Sequence, residues 1–203
     1  DYPMASIRFH KFAIEGMRDI QKQIKDSKAF YFPYVEESKG VGDKLLFDLA
    51  KDAAVVITDD YPTYFVPQMT AEAKGNIKTT YELVDSNGIL PIRIAEKEYV
   101  RAHDFRRFMH KNIEDFLVEF PVENPLDYLN IQFDPKICKS LTQNYKLEDF
   151  NEINIQKFLD NLSVDKSVEI SEIVGGYDAA KSRLDYFTKK GFNDYAKLSL
   201  IHI

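Results

Sequence analysis

From Ser6 to Ile24, apolar residues at Ile14, Met17, Ile20 and Ile24 recur at helical steps and predict an amphipathic helix. The next stretch, Lys28 to Val35 (KAFYFPYV), is aromatic and strand-like, with Pro33 demoting its far end. Gly40 and Gly42 punctuate the chain, and DKLLFDLAKDA then reads as a helix for which Asp43 is the candidate cap. Residues 54–58, AVVIT, form a continuous run of the kind that makes a central parallel strand covered on both faces. Val66 to Lys74 predicts a short helix closed by Gly75-Asn76. A second strand then runs to Val84, before a turn at Ser86-Asn87-Gly88. The strongest helical pattern spans Glu96 to Phe120, with Ala102, Phe105, Met109, Ile113, Phe116 and Phe120 along one side.

Strands alternating with helices predict a parallel α/β sheet with right-handed crossovers and flanking helices. Such sheets bind ligands outside the carboxyl ends of their strands. Thr58-Asp59-Asp60 and Asp85-Ser86-Asn87 both fall at such ends. Residues 121–172 change character. Pro121, Pro125 and Pro135 interrupt the pattern, acidic and Asn residues are frequent, and periodicity survives only in patches such as NIQKFLDNL. This stretch reads as a long connector with short helices. Gly175-Gly176 then opens a new amphipathic helix, with Ala180, Leu184 and Phe187 on one face.

Composition narrows the class. With 203 residues, 44% hydrophobic and 30% charged, the chain is globular rather than disordered or fibrous. A net charge of −6 means that its surface as a whole does not attract nucleic acid or anionic membrane, although a local basic patch still could. The single cysteine, Cys138, excludes an internal disulfide and a multi-cysteine zinc site, and fits a reducing, cytoplasmic setting. No apolar run approaches the roughly 20 residues of a membrane span. The opening Asp1 and the closing LSLIHI (198–203) lead us to expect a piece of a longer protein with a non-native tail.

Candidate chemistry is sparse. Asp59 and Asp60 suggest a cation site or an acid–base pair. Adjacent residues on extended chain point to opposite faces, however, and the competing reading is that Asp60 turns the chain before Tyr61-Pro62 and caps the segment after it. Neither GxGxxG nor GxxxxGK occurs, which argues against a dinucleotide-binding domain or a P-loop enzyme. His103 and His110 share a helix face but stand two turns apart, too far to ligate one ion. Arg101, Arg106, Arg107, His110 and Lys111 make a basic band beside Glu98, Asp104 and Glu114. An ion-paired surface is the expectation there, with a phosphate contact from Arg106 or Arg107 as the alternative. No Gly-x-Ser-x-Gly elbow exists and Cys138 has no nearby histidine, which argues against a nucleophilic hydrolase.

The succession of segments carries more. Arg8 leads through a helix to Glu15-Gly16-Met17, and a strand ends in an aspartate-led turn. Val84-Asp85-Ser86-Asn87 is followed by Pro91, and Tyr99, Ala102 and Arg106 are spaced as Tyr-x-x-Ala-x-x-x-Arg. Further on, Gly175, Gly176, Ala179, Ala180, Leu184 and Phe187 form a Gly-Gly-x-x-Ala-Ala helix. In this order the segments resemble the DNA photolyase and cryptochrome family, nearest its class II-like branch. The Arg-Asn/Asp-x-Pro segment that should follow is replaced here by Lys197-LSLIHI.

The resemblance implies a Rossmann-like amino-terminal antenna domain over 1–120 without its first strand, and an interdomain linker over 121–172. Residues 173–197 would be the start of an all-α FAD-binding domain. It further implies that the parent is a carbon–carbon lyase repairing UV-damaged DNA through a flavin and a helical domain absent from this chain, so that this piece alone is inactive. Tyr195 stands where the family places a tyrosine against FAD. Asp59, Asp60 and Asn87 edge the surface where a deazaflavin or folate antenna would sit, and Asp85 and Asn87 alternatively brace a turn. None of these cofactors is expected to bind this piece tightly. A cryptochrome-like photosensor and a stand-alone nucleotide-binding α/β module remain the alternatives. No membrane partner is implied; the expected partner is the protein's own FAD domain.

Overall fold

The computed structural model describes residues 5–130, 134, 136 and 143–195. Cys138 and the 198–203 tail lie outside them. The chain divides into two compact units that do not follow chain order. One takes residues from 1–42 and 126–203, the other residues 43–125. Together they make a mixed α/β protein with a small parallel sheet and several helices.

In the first unit, α1 (Ile7–Ile24) buries Ile7 and Ile14 against Phe150, Ile155, Leu159 and Leu162, with Met17 partly covered. Phe150 and Leu159 are fully buried. The stretch expected to be a connector therefore supplies the centre of a hydrophobic core. Part of it is helical, α5 (Ile155–Asn161), whose N-cap Asn154 accepts a hydrogen bond from the Lys157 amide at 3.0 Å. The rest is irregular, and α1 satisfies its backbone. Arg18 donates to the carbonyls of Phe150 (2.7 Å) and Ile153 (3.1 Å), and Gln21 accepts from the Phe150 amide at 2.9 Å. Ser6 forms an isolated parallel bridge to Asp165, and the Ile7 amide donates to the Asp165 carbonyl.

The expected α1 stripe is corrected at Ile20, which is exposed, while its neighbour Asp19 is buried. That side of the helix receives backbone, not apolar side chains. Gly175 donates its amide to Glu15 at 2.8 Å, and Asp178 donates its own to Asp19 at 3.1 Å. A Cβ on Gly175 would overlap the Phe12 backbone, and one on Gly176 the Asp19 carboxylate, so only the glycine pair permits this approach. From it starts α6 (Tyr177–Tyr186), which continues through a π turn (Phe187–Gly191) into α7 (Phe192–Tyr195). Ala180 and Leu184 on its apolar face are exposed and Phe187 is half-buried. The strand expected over Lys28–Val35 does not form. Among the described residues the backbone there has no ladder partner; it is held by the Glu148 amide donating to the Pro33 carbonyl (2.9 Å) and by Tyr34 packing edge-on against Tyr145.

The second unit opens with α2 (Leu45–Ala50), which Asp43 does not cap; Lys44 occupies that position without a side-chain bond. β1 (Val55–Asp59), α3 (Val66–Asn76) and β2 (Thr80–Val84) follow as a strand–helix–strand unit. The strands pair in parallel with Val55 opposite Thr80 and Asp59 opposite Val84. Coverage of β1 on both faces is not found: Val55 and Ile57 are exposed, and the described sheet has two strands. The long helix over 96–120 is shorter than its pattern. It runs as α4 (Ala102–Asn112) and tightens to a 3₁₀ turn over Ile113–Phe116. At its start Tyr99 folds back, its ring tilted against those of Phe105 and Phe108 with centroids 5.5 and 5.3 Å away. A helical Tyr99 could not make that return. At the far end Val118 and Phe120 find no cover.

Candidate ligand edge of the sheet

Parallel register brings the ends of β1 and β2 together, so that Asp59-Asp60 and Asp85-Ser86-Asn87 form one polar edge. The Asp60 amide adds a further rung, donating to the Val84 carbonyl at 2.8 Å. Beyond it the side chains take over. Asp59 accepts from the Ser86 hydroxyl at 2.5 Å, and Asn87 Nδ2 donates to the Asp60 carbonyl at 2.8 Å. Asp85 accepts from the Asn87 amide and side chain through one oxygen and from the Ile92 amide, at 2.6 Å, through the other. The Ile92 amide above all, then the Asn87 side chain, holds the Asp85 carboxyl below the usual aspartate range.

Asp60 diverges from Asp59. Its carboxylate pairs with the Arg93 guanidinium, and that hydrogen bond raises the arginine further above its ordinary value. The two adjacent carboxylates thus serve separate partners. Among the described residues no three His, Cys, Asp or Glu side chains gather as a metal site would require. Nor does Asp60 cap α3, whose N-cap is Phe65.

Beside this edge lies a cleft of about 430 Å³, within the range of small-molecule sites. The Asp60–Arg93 pair closes one side, Tyr61, Tyr81 and Ile92 supply apolar walls, and Lys74 of α3 brings a cation. Of the residues singled out by sequence, Asp60 lines the cleft, whereas Asp59 and Asn87 do not line it and hold the strand ends together through Ser86 and the Asp60 carbonyl. Tyr195 belongs to the other unit, half-exposed, with its ring edge-on to Phe187 at 5.8 Å. Arg93 is the residue sequence reasoning misses. Its signal is simple: it is the one charged side chain between Gly88 and Ala95.

No protein-family model matches the chain. Among the described residues no helix is long and apolar enough to cross a membrane. Over 138 residues, 67% of this chain, the sequence is 26% identical to the deoxyribodipyrimidine photo-lyase of Methanothermobacter thermautotrophicus. The matched stretch spans 30% of that protein's length, so this chain is similar to a minor part of a photolyase.

Proposed function

We propose that this chain is the amino-terminal part of a deoxyribodipyrimidine photolyase, a light-driven enzyme that splits cyclobutane pyrimidine dimers in DNA. The similarity to the archaeal photolyase over two thirds of the chain carries this reading. The β1–α3–β2 unit supports it as the remnant of a Rossmann-like antenna domain. The exposed apolar face of α6 supports it as the first helix of a larger helical FAD domain, the chain's expected partner and the part that would hold damaged DNA. When bound, reduced flavin would supply the photochemical electron that splits the dimer. Tyr195, anchored by Phe187 with half its surface free, fits a single contact to that flavin. One ring is no cradle, so this chain alone is not expected to hold FAD tightly or to repair DNA.

We place the antenna chromophore, a deazaflavin or a folate, in the cleft beside Asp60. Tyr61 and Tyr81 offer apolar walls for a planar ring, and Lys74 a counter-charge for an acidic group. The setting fits a cytoplasmic, reducing compartment.

The test is to recover the source reading frame on both sides of this chain, express the longest protein it encodes, and assay it. Flavin absorbance with blue-light-dependent loss of dimers from UV-irradiated duplex supports the proposal. Flavin without repair would replace it by a cryptochrome-like photosensor. A frame that adds no flavin-binding domain would bring forward the stand-alone nucleotide-binding module.

A further inference from the structure

The basic band on α4 is not the ion-paired surface its sequence predicts. At 3.6 residues per turn, His103, Arg106, Arg107, His110 and Lys111 fall on one face and Phe105, Phe108 and Met109 on the other. All five basic side chains are exposed. Glu98 and Glu114 do not reach them. Among the described residues Arg101, Arg106, Arg107, His110 and Lys111 make no carboxylate contact, and the neighbouring His103 places Nδ1 3.6 Å from Asp104. Residues 101–111 hold four fixed cations against one carboxylate in a chain whose net charge is −6.

We infer that this face of α4 is a contact for the phosphate backbone of duplex DNA. The inference goes beyond the proposed function, which leaves DNA to a helical domain, and needs neither a dimer nor light. Arg106 and His110 stand one helical turn apart, as do Arg107 and Lys111, so the basic side chains form a short double row. Two of the three central cations are arginines, whose planar forks match phosphate oxygens better than lysine does. Contacts of this kind position a duplex without reading its sequence.

The test uses this chain and a fluorescein-labelled, undamaged 20-base-pair duplex, followed by anisotropy in the dark. With three phosphates neutralised, the logarithm of affinity should fall with that of salt at a slope of about −2.7, or about 40-fold between 50 and 200 mM. R106A/R107A/K111A should remove most of that slope, and R106K/R107K should retain it. K25A/K28A/K39A, which removes the same charge from the other unit, should leave it in place. Three results would overturn the inference: no binding at 50 mM salt, equal loss in the control triple variant, or equally tight binding to poly-glutamate, which would point to an acidic protein partner. None of them bears on dimer repair, so the photolyase reading stands or falls separately.

Discussion

Asp19 of α1 closes the amino terminus of α6 from outside that helix, accepting the Asp178 amide at 3.1 Å. The N-cap itself is Gly176, which has no side chain to do so. Helix starts leave several amides without intrahelical partners, and an anionic acceptor there also meets the positive end of the macrodipole. Asp19 therefore substitutes across space for a local cap. Asp19→Ala should destabilise the first unit by about 1–2 kcal/mol and Asp19→Asn by less, since an acceptor remains. Urea unfolding followed by far-UV circular dichroism would show this, the chain having no tryptophan. Equal midpoints for wild type and Asp19→Ala would refute the capping role.

Glycine substitutions should have opposite signs in the two units. Gly176 has φ of +101°, and a Cβ there meets Asp19. Gly176→Ala should cost at least about 2 kcal/mol, combining steric overlap with a backbone conformation that L residues avoid. Gly75 sits at the end of α3 with open space around its missing Cβ. Gly75→Ala should stabilise the second unit by up to about 0.5–1 kcal/mol through helix propensity and reduced unfolded-state freedom. Thermal melts of both variants would check the pair.

Core truncations should separate residues that look alike in sequence. Phe150→Ala should cost about 3–5 kcal/mol and Leu159→Ala about 2–5, because both side chains are fully enclosed. Val118→Ala should be within about 0.5 kcal/mol of wild type, its side chain being largely exposed. Comparable losses at Val118 and Leu159 would show that the core lies elsewhere.

Asp85 gives the strand ends a pH dependence of defined sign. Its carboxyl is held below the ordinary aspartate value, chiefly by the Ile92 amide. A depressed folded-state value favours the fold where the unfolded carboxyl is ionised, above about pH 4. That contribution is lost as pH falls through the lower folded value. Asp85→Ala should therefore lag behind wild type in urea at pH 7, with the gap narrowing in strongly acidic buffer. A gap independent of pH would assign the loss to something other than the carboxylate's charge.

The extent to which this molecule could be read in advance follows from how local each signal is. β1, α3 and β2 declare themselves because an apolar run, a proline-led helix and a second run each state their element within a dozen residues. The glycine pair likewise announces the start of α6. The principal core of the first unit does not, since Phe150 and Leu159 lie among Asp and Asn residues, and their partners on α1 are more than a hundred residues away. Lys28–Val35 misleads for the opposite reason: its aromatic content favours a strand, yet no neighbour among the described residues supplies the ladder. At the candidate site Asp60 is legible from its place at a strand end. Arg93 comes to it across a loop, and loop paths carry little periodicity.

The interleaving of the two units has a consequence during synthesis. α1 is translated before its core partners: Phe150 and Leu159, which cover Ile7 and Ile14, leave the ribosome more than a hundred residues later. At about 5–20 residues per second that interval is on the order of 10 s. Residues 43–125 are all available within it and can fold first, while α1 waits with its apolar side exposed. A synonymous codon change that slows translation between residues 125 and 150 would then prolong the exposure of α1 and alter the yield of the first unit more than that of the second.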